Sequence, residues 1–139
     1  MKNSELMVGN WVLAPTEYRD KQKKVRVWQI RDTIIIGYDQ GWYSIDRLAP
    51  IPITEDFLKA NGFIHKCLIE SDEYYPKGLY EWQKSTDDYF IEVRNEETSF
   101  RSIYIFNADR NNVAGIDIQY VHQLQNVLNI LGIEMEVIV

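Results

Sequence analysis

Apolar and polar residues alternate along this chain with two different periods, and the change from one to the other divides it. From residue 4 to 53 the apolar positions come in short runs with a repeat of two, the spacing of a strand with one buried face. Residues 11–14 make the first run, and Pro15 ends its pairing. After a polar loop at 16–23, Val25, Val27 and Gln29 alternate against Arg26, Trp28 and Ile30. Residues 33–38 are rich in β-branched side chains, and Asp39-Gln40-Gly41 is a turn signal before a strand at 42–45. Residues 48–53, with Pro50 and Pro52, read as an extended closing edge strand. Five short strands, one long loop and then tight turns predict an SH3-like small β-barrel at 1–53.

At Thr54 the period becomes helical. Thr54 is a good N-cap, Glu55 and Asp56 place negative charge in the first turn, and Asn61-Gly62 ends a helix at 54–61. Strands are expected at 63–70, 79–84, 89–94, 102–106 and 113–118, with turns between them, one of these at 95–99. The second helix, 120–131, is the clearest in the chain. Tyr120, Val121, Leu124, Val127, Leu128 and Leu131 fall on one stripe. Gly132 fits a left-handed exit, and Ile133 fits the apolar contact back to Leu128 that goes with it. Residues 133–139 read as a last strand. The expected class is therefore α+β: the barrel at 1–53, then an antiparallel sheet with two helices at 54–139.

The other side of helix 120–131 carries no charge. His122, Gln125, Asn126 and Asn129 make it a candidate partner surface, because amides form directed hydrogen bonds with another polar surface. The alternative is that the chain's own loops cover it.

Composition narrows the class of protein. The 139 residues allow one domain or two small ones, and 45% hydrophobic with 26% charged residues is ordinary for a globular chain. The single cysteine, Cys67, fits a cytoplasmic setting, and neither a signal peptide nor a membrane span is expected. The net charge of −6 is uneven: residues 1–52 hold eight basic and six acidic residues, against seven and fifteen in 53–139. An acidic bulk argues against a broad nucleic-acid footprint. One basic cluster stands out, Arg19, Lys21, Lys23, Lys24 and Arg26, with Arg31 nearby. It is a candidate basic patch for weak nucleic-acid binding, or a solvated loop leading into a strand.

The search for chemistry returns little. His65 and Cys67 share a strand face, but a nucleophile and base need an orienting third group, and a buried structural cysteine is the simpler reading. Asn107, Asp109 and Asn111 copy the first ligands of a calcium loop, yet the bidentate acid is replaced by Ile118, so a turn explains them better. Acidic pairs such as Asp87-Asp88 and Glu96-Glu97 fall in turns. No catalytic residue, metal site or cofactor is assigned. Most tryptophans are expected in the core, with one or two lining a groove; Tyr74, Tyr75, Tyr80 and Trp82 are a second candidate aromatic patch.

Three blocks resemble one group of sequences. The stretch from Ser4 to Val12 contains Gly9-Asn10-Trp11-Val12; Ile51-Pro52-Ile53-Thr54-Glu55-Asp56-Phe57-Leu58 precedes Asn61-Gly62-Phe63; and Tyr120-Val121-His122-Gln123-Leu124-Gln125-Asn126 opens the last helix. In this order they are similar to small uncharacterised proteins of Bacteroides-type genomes, prophages and mobile elements. The chain departs from that group after Asn126 and has a longer middle. The resemblance implies a cytoplasmic protein of mobile-element origin and transfers no catalytic residue. The expected function is a non-catalytic protein-binding or adaptor protein, with a protein partner or a second copy as its contact.

Overall fold

The computed structural model describes residues 1–18, 20–76, 78–95 and 101–139. The chain is α+β, with two antiparallel sheets and two α-helices. Two compact units are present: Met1–Ile53 with Tyr120–Val137 and Val139, and Thr54–Gln119 with Ile138. Helix 120–131 thus groups with the first unit and not with residues 54–119. Chain order hid this, because the groups that hold the helix lie more than a hundred residues away in sequence.

In the first unit the strands β1 (Trp11–Pro15), β2 (Gln22–Arg31), β3 (Ile34–Gly37) and β4 (Trp42–Ser44) pair in chain order. They form a curled half-barrel of SH3-like arrangement. The long β2 serves both ends of the curl: its first half pairs with β1 and its second half with β3. Residues 48–53 do not form the expected fifth strand. Ala49 exchanges two backbone hydrogen bonds with Leu13, and Pro52 makes a single bridge to Tyr120. Pro50 and Pro52 have no N–H to donate, so a continuous ladder cannot form there. Val12, Ala14, Val25, Val27, Ile35, Ile45 and Leu48 fill the inside of the curl, with Leu6 from the N-terminal segment.

Helix α2 (Val121–Ile130) completes this unit. Val121, Leu124 and Leu128 are buried, each stabilising by about 1.5–3 kcal/mol. Its end follows the sequence: Gly132 has φ of 68°, Gly132 N–H donates to Asn129 C=O, and Ile133 N–H donates to Leu128 C=O at 2.8 Å. Residues 133–139 do not form the expected strand.

The second unit opens with α1 (Glu55–Ala60), whose first turn is capped by Thr54 Oγ1 accepting from Phe57 N–H at 3.1 Å. A five-stranded antiparallel meander follows: β5 (Ile64–Ile69), β6 (Leu79–Ser85), β7 (Tyr89–Asn95), β8 (Arg101–Asn107) and β9 (Asn112–Ile118). Trp82, Ile91, Val93, Ile103 and Ile105 lie buried on one face. The expected turn at 95–99 falls largely outside the described residues. Among the described residues no helix is long and apolar enough to cross a membrane.

Candidate functional site

The amide face of α2 is largely occupied from within its own unit. Asn126 Oδ1 accepts from Asn10 Nδ2 at 2.9 Å, and Asn126 Nδ2 donates to Glu5 C=O at 2.8 Å. Gln125 Oε1 accepts from Trp11 N–H, and Gln125 Nε2 donates to Gly9 C=O. These bonds satisfy backbone groups that would otherwise be left bare where the chain enters β1. His122 is 2% exposed and stacks on Tyr120. Burial pushes its pKa down, and its Nδ1 has no partner among the described residues. Asn129 alone of the four is exposed. The candidate partner surface is thus mainly an internal seam.

The basic segment takes a different form from a solvated loop. Lys23, Lys24 and Arg26 lie on β2 and Lys21 just before it, while Arg19 lies outside the described residues. Val25, Val27 and Ile30 point into the core, which breaks the two-residue repeat. A bulge between Val27 and Gln29 accounts for it: Trp28 and Gln29 both turn outward, and Ile30 returns to the inside. Gln22, Lys24, Arg26, Trp28, Gln29 and Arg31 are therefore the outward positions of β2.

The neighbouring strands add to this face. Ile35 and Tyr43 pack on the inner cluster, so Ile34, Ile36 and Tyr38 lie on the outer side of β3 and its extension, with Ile36 buried there, and Trp42 and Ser44 on that of β4. Trp28, Tyr38 and Trp42 are 53%, 57% and 65% exposed. Trp28 and Tyr38 lie 6.5 Å apart, centroid to centroid. The Arg26 guanidinium sits 5.3 Å from the Tyr38 ring, and that of Arg31 reaches across β3 to within 5.7 Å of the Trp42 ring. Arg26 Nε also donates to Gly9 C=O, so Arg26 joins this face to a cleft of about 370 Å³ lined by Gln125, Asn129 and Glu134. The structure thus brings together Arg26, Gln125 and Asn129, from two separate sequence candidates.

Lys23 points elsewhere. It pairs with Asp39 at 2.9 Å and lies over the Tyr43 ring, while the Tyr43 hydroxyl donates to Asp39. Hydrogen bonding to Tyr43 and Asp39 raises the Lys23 pKa. Burial opposes ionisation of Asp39, but the bonds from Tyr43 and Lys23 outweigh it and hold its carboxyl below the usual range.

The second unit carries a different cluster. Glu81, Gln83, Glu92, Arg94 and Tyr104 share the polar face of the meander by register. Arg94 lies between the two carboxylates, 3.6 Å from Glu81 and 3.4 Å from Glu92, and 4.6 Å from the Tyr104 ring centroid. Burial and the adjacent Glu81 push Glu92 up to about 7. Glu92 also lines a cleft of about 490 Å³ with Phe90 and Phe106. Neither this cleft nor the first is lined by a histidine.

Cys67 is exposed, not buried, because β5 is an edge strand. His65 is not hydrogen-bonded to it but stacks between Trp82 and Tyr80, at 4.5 and 5.0 Å. With Trp82 buried and Tyr74 fully out in solvent, the second aromatic patch does not assemble. Asn107 Oδ1 accepts from Asp109 and Asn111 N–H, a turn closed on itself. Glu96 and Glu97 lie outside the described residues. Among the described residues no group of three or more His, Cys, Asp or Glu could hold a metal ion. No protein-family model matches this chain, and neither a curated protein nor a solved structure matches it.

Proposed function

We propose that this chain is a non-catalytic binding or adaptor protein, and that its contact surface is the outward face of β2–β4, not the amide face of α2. The observation that carries the reading is the exposure of Trp28, Tyr38 and Trp42 together on one sheet face. Solubility does not require large rings there, and an aromatic cluster left in water is the usual mark of a contact surface. The amides of α2, by contrast, are already used inside the unit. A cytoplasmic location and a mobile-element origin belong to the same reading, supported by the single cysteine and by the three sequence blocks.

The test is site-specific crosslinking. A photo-reactive residue at position 42 is compared with one at position 130, where Ile130 is 76% exposed but lies apart from the aromatic cluster. Adducts formed in cell extract at position 42, absent at 130 and suppressed by excess unmodified protein, are the expected result. Equal labelling at both positions, or none at 42, would reject the surface.

A further inference from the structure

We propose that the face of β2–β4 takes single-stranded nucleic acid, with bases stacked on Trp28, Tyr38 and Trp42 and phosphates held by Lys24, Arg26 and Arg31. This rests on the reading of that face as the contact surface and gives the partner's chemistry. The first argument is charge. The chain carries −6 overall, yet the outward positions of β2–β4 include three cations and no carboxylate. Asp39, in the turn between β3 and β4, is held by Lys23 and Tyr43. An acidic chain that gathers positive charge on one face is complementary to a polyanion at that face and repels it elsewhere.

The second argument is the rings. Phosphate or carboxylate recognition alone needs cations, not exposed indoles. Bases supply a π-face for each ring, whatever the sequence, and cations beside the rings track the backbone. Here the two are interleaved: Arg26 lies against Tyr38 and Arg31 against Trp42. By strand geometry Trp42 sits about 5 Å sideways and about 7 Å along from Tyr38, so successive bases can occupy separate rings. A duplex hides its base faces in its own stack, so this surface favours single strands.

The test uses the full chain and a labelled oligothymidylate, read by anisotropy and by quenching of tryptophan emission. Binding at low salt is expected, with Trp28→Ala and Trp42→Ala each weakening it roughly tenfold or more. Arg31→Gln should reduce the slope of log affinity against log salt by about 0.7. Denaturation curves for each variant separate lost contact from lost folding. Absence of binding at low salt, binding indifferent to Trp42→Ala, equal binding of polyglutamate, or equal binding of a duplex of the same length would overturn the inference. Protein adducts at position 42 without oligonucleotide binding would reject the nucleic acid and leave the contact face standing; loss of both results would reject both.

Discussion

The outward face of β2–β4 carries three aromatic rings and three cations without a carboxylate, whereas the polar face of β6–β8 sets Glu81, Glu92 and Arg94 within one another's reach. Both sheets bury an apolar face, so the inner sides do not distinguish them. On the meander, charge is neutralised in place: Arg94 sits between two carboxylates and against Tyr104. On the half-barrel, Arg26 and Arg31 meet rings, which attract a cation without cancelling its charge. A guanidinium paired with carboxylates has little left to offer a ligand; one resting on a ring keeps its charge and its donor fork. That difference is why we propose the first face, and not the second, as the contact surface.

The largest expected effect contrasts two tryptophans. Trp82 is buried in the meander, and Trp82→Ala should cost about 3–5 kcal/mol of unfolding free energy. Trp42 stands in solvent on β4, and Trp42→Ala should change stability by no more than about 0.5 kcal/mol. Urea denaturation measures both. A large loss from Trp42→Ala would mean that the ring supports the fold, and the contrast between the two faces would fail.

The contrast also shows what could be read from the sequence. The helix ends were legible, because caps are local: Thr54 binds Phe57 N–H, and Gly62 and Gly132 both adopt the left-handed conformation. The alternation of Val25 and Val27 was legible too. By that alternation Trp28 shares the side of Arg26, as the structure has it; what the alternation missed is the bulge, since continued alternation would have buried Gln29 and exposed Ile30, the wrong way round for a strand, and the bulge reverses them. The partners of the amide face were beyond reach, since Asn126 finds Asn10 and Glu5 across 116 and 121 residues of sequence. Residues with directed hydrogen-bonding groups announced that something covers the helix, but not which segment. Cys67 was misplaced for a related reason: a strand's position at a sheet edge is set by the order of pairing, which periodicity does not encode.

A middle-sized effect sharpens the assignment of the amide face as an internal seam. Asn126→Leu removes both the acceptor for Asn10 Nδ2 and the donor to Glu5 C=O, and Asn10 is buried. Leaving those groups unpaired should cost about 1–3 kcal/mol. Asn129→Ala, at the exposed position of the same face, should stay within about 0.5 kcal/mol. Equal losses from both would argue that something outside the unit normally covers the whole face.

A smaller effect should be nearly equal in the two units. Gly62 and Gly132 close their helices with the same pair of backbone bonds and φ values of 79° and 68°. Alanine at either position is strained by about 1 kcal/mol. A Cβ at Gly132 would meet nothing within 4 Å, while one at Gly62 would lie 3.4 Å from Lys84 Nζ, the end of a flexible side chain. Thermal denaturation of Gly62→Ala and Gly132→Ala should therefore show similar shifts, and a much larger one at Gly132 would contradict the open surroundings seen there.

The smallest effect separates the units by pH. His122 in the first unit has a pKa lowered by burial, so its contribution is complete above the unfolded value of about 6.5 and is lost as pH falls. Glu92 in the second is raised by burial and by Glu81 to about 7, so its contribution is complete below its ordinary value of 4.5 and is lost as pH rises through about 7. Between about pH 5 and pH 8 the two units should shift in opposite directions, the first gaining stability and the second losing it. Glu92 keeps 16% of its side chain in solvent, so screening will make its slope shallow. Hydrogen exchange resolves the two, read at amides of β2 and α2 for the first unit and of β7 and β8 for the second. Glu92→Gln should flatten the alkaline loss without touching the response of α2. A common direction of change in both units would show that neither group dominates its own region.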